Sequence, residues 1–157
     1  MKKILLFTFV LFSIAATAQR NPFKNLTEKN GKIGIGTKAP DELLTVKGVI
    51  HTQEVKVDLD GAVAPDYVFE KYFTGSSRYM PEYRLISLEE LEAFIAKNHH
   101  LPKLPSAAKM EEDGVSLKEM NLMLLEKVEE LTLYTIQQQK EIDALKEKVL
   151  EQDDSKE

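Results

Sequence analysis

The sequence predicts an α+β fold with short N-terminal β-strands, a small α+β middle and a long C-terminal coiled-coil helix. Three observations carry this. Ile33, Ile35, Leu44, Val46 and Ile50 alternate with glycine or polar residues at the period of a strand. Ser87-Leu88-Glu89-Glu90 and Ser116-Leu117-Lys118-Glu119 each carry the serine-to-glutamate spacing of a capping box, the start signal of a helix. From Leu117 to Val149 apolar or tolerated residues then recur at alternating spacings of four and three, the repeat of a coiled coil.

Taken in order, the chain opens with Lys2 and Lys3, an apolar run from Ile4 to Ile14 too short to span a bilayer, and Ala16-Thr17-Ala18. A positive end, a short apolar core and small residues at the cleavage point form a secretory signal peptide over residues 1–18, with cleavage expected after Ala18. The expected destination is the periplasm, the cell surface or the medium, with no membrane span left after cleavage. Removing Lys2 and Lys3 takes the formal charge of -5 two units further negative. Basic residues are interleaved with more numerous acids, so nucleic acid is not an expected partner. Cysteine is absent, which excludes disulfides, thiolate metal sites, a cysteine nucleophile and a lipidated N-terminal cysteine.

Residues 19–30 read as a polar leader and 31–64 as a β-rich segment. Gly34 and Gly36 leave one face of the first strand bare, which suits close approach by another backbone, as around a shared axis. A second strand is expected over Leu44, Val46, Gly48 and Ile50, and a third over Val55, Val57 and Leu59, the phase change placing a turn or bulge near His51–Gln53. In residues 65–115, Pro65 predicts an extended approach to Asp66-Tyr67-Val68-Phe69. Tyr67, Phe69, Tyr72, Phe73, Tyr79 and Tyr83 are expected to fill a small core, the alternative being an exposed sugar-stacking surface. A helix follows from Ser87, fraying by Asn98 ahead of Leu101-Pro102 and Leu104-Pro105, and a short one spans Ser106 to Glu112 before Gly114.

Residues 116–150 form the coiled-coil segment and 151–157 a disordered tail. Leu117, Leu124, Leu131, Gln138 and Leu145 occupy position d of the heptad, and Asn121, Val128, Thr135, Ile142 and Val149 position a. These ten are the expected self-association residues. The alternative is an amphipathic helix folded back on its own domain, because Met120, Leu122, Met123 and Leu125 widen the stripe near its start. Glu141 at g and Lys146 at the following e pair across a parallel interface, while Lys127 at g reads as a partly exposed lysine without an acidic partner.

Other motifs carry less. Gly34-Ile35-Gly36-Thr37-Lys38-Ala39 fits a dinucleotide fingerprint with Glu54 downstream, but strand-like alternation follows where a helix is required. His99-His100 and His51 are too few and too scattered for a zinc site. No catalytic residue, cofactor or metal is expected.

Ile35-Gly36-Thr37 with Pro40, Leu44-Thr45-Val46-Lys47-Gly48, Pro65-Asp66-Tyr67-Val68-Phe69, Ser87 to Glu92, His100-Leu101-Pro102 with Leu104-Pro105-Ser106, and Asn121 to Tyr134 make up a pattern. It resembles the C-terminal region of secreted bacterial tail-fibre-like proteins, related to the phage endosialidase-type intramolecular chaperone domain of tail spikes. The resemblance runs from about Gly31 to about Ile142. It implies a homo-oligomer, a trimer favoured over a dimer, with N-terminal strands intertwined as a β-prism about a threefold axis. It also implies a larger surface fibre or a carbohydrate as further partner. Val and Ile at a with Leu at d, and Asn121 at a, favour two strands instead. The phage-type relatives cleave themselves with a serine in Ser-Asp-x-Arg-Leu-Lys. This chain has only the fragments Ser76-Ser77-Arg78 and Arg84-Leu85. The expectation is therefore a structural and assembly module that is not an enzyme, the alternative an autoproteolytic chaperone cutting near Ser76 or Ser77.

Overall fold

The structure, a computed structural model, describes residues 23–154; the expected signal peptide, its cleavage point and residues 155–157 lie outside the described residues. Among the described residues the fold is α+β, with a small three-stranded sheet and four helices of which the last is long. The chain divides between Val55 and Lys56 into two units, ahead of the expected boundary after residue 64.

In the first unit, β1 (Leu26–Lys29) pairs antiparallel with β2 (Lys32–Ile35), which pairs parallel with β3 (Leu44–Val46). β1 lies in the segment read as a polar leader. Its signal was Asn30-Gly31, whose positive φ angles of 54° and 77° make the tight turn that joins β1 to β2. The register sets Leu26 opposite Ile35, Ile33 opposite Leu44 and Ile35 opposite Val46, so these side chains share one face. On the other face Thr45 is buried, its hydroxyl donating to the Asp41 carboxylate at 2.6 Å and accepting from the Asp41 and Glu42 amides. The glycines serve approach within the chain. A Cβ on Gly34 falls 2.5 Å from the Thr37 carbonyl oxygen, and Gly36, at φ 74°, leads the chain past the Lys47 carbonyl. The second strand ends at Val46, after which Lys47 N donates to Ile35 O as the ladder closes. Neither Gly48–Ile50 nor residues 55–59 take strand structure, the described ladder ending with the β2–β3 pair.

The second unit holds α1 (Tyr67–Thr74), α2 (Leu88–Asn98), α3 (Ala107–Asp113) and α4 (Leu117–Asp154). Where an extended approach was expected, Pro65 and Asp66 lead directly into α1: Val68 N donates to Pro65 O and Glu70 N to Asp66 O. Proline's fixed φ suits a helix entry as well as a strand, and here burial decides. Helical geometry lets Tyr67 and Val68 both reach the core that Tyr83 and Leu133 complete. Thus residues 65–115 contain helices and loops and no strand among the described residues. The aromatics divide: Tyr67 and Tyr83 are buried, whereas Phe73 and Tyr79 are two-thirds exposed.

The capping box of α2 is present in both halves, Glu90 N donating to Ser87 Oγ (3.2 Å) and Ser87 N to Glu90 Oε2 (2.9 Å). Arg84 clasps the same carboxylate at 2.7 and 3.1 Å. Arg84 first, and then the Ser87 amide, hold the Glu90 carboxyl down at about 2. His99, in the left-handed region, ends α2. Ser106 and Gly114 cap α3, and Ser116 Oγ accepts from Glu119 N at the start of α4. α4 continues to Asp154, past the expected stop at Leu150, since Glu151-Gln152-Asp153-Asp154 contains no helix breaker.

Candidate functional site

A helix turns about 100° per residue, so on α4 the a and d positions lie opposite b, c and f. The structure uses both sides. Toward its own domain it turns Glu126 and Leu133 from f, Glu129 from b, Glu130 from c, and Lys127 and Tyr134 from g. All ten expected self-association residues, Leu117 through Val149, fall on the opposite side and are exposed. Leu131, at the middle of that seam, is 64% exposed, while Leu133, two residues on, is 0% exposed. The early turns do pack on their own domain, and they do so without using the seam. From Gln137 to Asp154 every residue is exposed on all sides.

The domain-facing side carries a polar cluster that the sequence reading missed. Tyr67 Oη donates to Glu126 Oε2 at 2.5 Å, and Lys103 Nζ and Lys127 Nζ donate to Glu126 Oε1 at 2.6 and 3.1 Å. Lys127 also pairs with Glu130 at 2.7 Å, and Tyr83 Oη donates to Glu130 Oε1 at 3.1 Å. Lys127 is therefore a nearly buried member of a network, a correction to its reading as an exposed lysine without an acidic partner. A lone g-position lysine looks solvated because the glutamates at the preceding and third-following residues read as a charged face. Lys103 Nζ also stands 5.2 Å over the Tyr83 ring, and its backbone adopts φ 69° to bring it there from between Pro102 and Leu104-Pro105.

Burial alone would raise the Glu126 carboxyl, but donors from Lys103, Tyr67 and Lys127 outweigh it and hold that group far below the usual carboxylate range. Tyr67 and Tyr83 are pushed well above the ordinary phenol range, first by burial and then by the adjacent carboxylates, so both stay neutral donors. Glu129 is different. It is 5% exposed, its Oε2 has no hydrogen-bond partner, and burial, with Asp66 and Glu126 nearby, raises its carboxyl. With its acceptors occupied and its phenols held neutral, the Glu126 network is suited to fixing α4 on the domain. Tyr134 Oη adds a second tie, donating to Ile86 O at 2.7 Å.

The remaining sequence candidates are placed as follows. Ser77 is buried, donating to Glu70 Oε2 at 2.6 Å and accepting from Met80 N at 3.4 Å, whereas Ser76 lies in the exposed turn after α1. His99 ends α2, His100 Nδ1 lies 2.9 Å from the Leu101 carbonyl and His51 is exposed in the other unit. Among the described residues no group of three or more His, Asp or Glu is placed to hold a metal ion. Gly34 and Gly36 belong to β2 and the loop into β3, with no helix after them to receive a pyrophosphate. No family model, curated protein or solved structure matches this chain. The functional reading accordingly rests on the two sides of α4. No helix among the described residues is long and apolar enough to cross a membrane.

Proposed function

We propose that this chain is an exported, non-enzymatic assembly module of tail-fibre type that joins copies of itself through the a/d seam of α4, three copies being favoured over two. The observation that carries the reading is the opposition of the two sides. α4 meets its own domain through b, c, f and g, yet Leu117, Leu124, Val128, Leu131, Ile142, Leu145 and Val149 stay exposed along the other side. An exposed apolar stripe of that length, interrupted only at Asn121, Thr135 and Gln138, is covered in water by other helices. In the first unit the sheet face bearing Ile33, Ile35 and Leu44 is also substantially exposed, as expected of strands that complete their core with strands of other copies.

Light scattering on the exported chain tests the reading: a mass of three chains, or two, supports it. Leu131→Asp places one carboxylate per chain in a shared central layer, at a cost of several kcal/mol per buried ion, and is expected to dissociate the assembly to single chains. Lys140→Ala, at position f in the exposed distal part, is the neutral control. An unchanged mass for Leu131→Asp refutes association through the seam.

The autoproteolytic reading draws on one observation, the 2.6 Å hydrogen bond from Ser77 Oγ to the Glu70 carboxylate, which pairs a hydroxyl with a proton acceptor. Intact mass after prolonged incubation separates the two. A single full-length species supports assembly without cleavage; a fragment ending near Ser77 and abolished by Ser77→Ala supports the alternative.

A further inference from the structure

We propose that the groove between the start of α2 and α4 seats the α4 helix of a neighbouring copy, so that each domain, and not the coil alone, grips the next chain. The proposal rests on the self-association reading above and specifies where the neighbour lies. Leu88 and Glu89 form one wall of the groove and Tyr134, Gln138 and Glu141 the other. The hydrogen bond from Tyr134 to Ile86 O holds the walls in place. In the heptad Tyr134 and Glu141 are g positions and Gln138 is d, so the groove borders the seam along its g edge.

In a parallel coil the g edge of one helix meets the e edge of its neighbour, five residues further along. The groove wall at Glu89, beside the nearly buried Tyr134, then faces Gln139 of the neighbouring copy, and Glu141 faces Lys146 of that copy. Charge supports this occupant. The groove presents the carboxylates of Glu89 and Glu141, and the one cation beside them, Arg84, is committed to Glu90 by two hydrogen bonds. Lys146 in its own chain has only a 3.4 Å contact with Asp143, both side chains being more than half exposed. Leu88, 44% exposed at the head of α2, gains an apolar cover from the same neighbour.

Because the chain contains no cysteine, introduced thiols report contacts without ambiguity. Chains carrying Glu89→Cys and Gln139→Cys are co-expressed with different tags, checked for wild-type mass and treated with a short bis-maleimide. A cross-linked pair bearing both tags is expected, with far less when Lys140→Cys, on the f side, replaces Gln139→Cys. Assemblies of full mass that do not form the Glu89–Gln139 product, or form it no better than the Lys140 control, overturn the groove proposal and leave self-association standing. A wild-type protein that is a single chain overturns both. As a second reading that needs no cross-link, Lys146→Glu is expected to raise the concentration for half-dissociation about three-fold or more per contact, the scale of an exposed ion pair. Adding Glu141→Lys to the same chain is expected to restore the wild-type value, and absence of that recovery overturns the pairing.

Discussion

Glu126 and Glu129 lie about one turn apart on the same side of α4 and titrate in opposite senses. Glu126 is held far below the usual range by its three donors, despite burial. Its contribution to stability is thus complete above the ordinary carboxylate range and is lost as pH falls through its lowered folded value. Glu129 is raised, by burial first and then by Asp66 and Glu126. Protonated Glu129 favours the folded state at acid pH, and that contribution is lost as pH rises through its raised folded value. Glu129→Gln removes the charge and keeps the shape. Because burying an unpaired charge costs more than burying a neutral amide, the variant is expected to be more stable than wild type by about 1 kcal/mol at neutral pH. The gap is expected to close as pH falls to the ordinary carboxylate range, as measured by urea denaturation across pH. A variant less stable than wild type at neutral pH would show that the Glu129 charge has a partner.

At the scale of elements, α4 has two contrasting sides, one packed on its own domain and one exposed and largely apolar, and only the second was legible in the sequence. The a/d seam could be read because leucine, valine and isoleucine recur at helical spacing. The capping residues Ser87, Ser106, Ser116 and Gly114 could be read because each acts on backbone a few residues away. The domain-facing side could not. Glu126, Lys127, Glu129 and Glu130 look like a solvated charged face, and their burial depends on Tyr67, Tyr83 and Lys103, which arrive from distant parts of the chain. β1 was missed for a smaller reason: Asn30-Gly31 is a hairpin signal, but Leu26–Lys29 has only one strongly apolar residue. The two sides of α4 also differ in what a deletion does. Leu133→Ala hollows the core beneath Val68 and Tyr83 and is expected to cost about 3 kcal/mol of domain stability, within the range for buried leucine. Near-ultraviolet circular dichroism of the tyrosines during urea unfolding measures this, and a loss below about 1 kcal/mol would mean that α1 and α4 are not held by that core.

For the whole molecule, an assembly held by the seam has a stability tied to protein concentration, because a partner that binds only the folded chain shifts unfolding by mass action. The thermal midpoint of the helical signal is therefore expected to fall when the protein is diluted a hundredfold. The Leu131→Asp chain, for which dissociation is proposed, is expected to show a midpoint independent of dilution. A wild-type midpoint that does not move with concentration would place the stability of α4 within one chain.

In the proposed assembly, the anchoring of α4 on its domain also bears on how fast copies join. Starting a helix is the unfavourable step, with a nucleation constant of about 10⁻³, while each added residue extends it at little cost. Tyr67, Lys103 and Tyr134 hold Glu126 to Tyr134 in helical turns, so the residues from Gln137 to Asp154 grow from a nucleus that already exists. A single chain then presents a formed rod before it meets another. Under that proposal encounter is the docking of two rods, with less ordering left to do at contact, and its rate is expected to be governed by collision and orientation more than by folding.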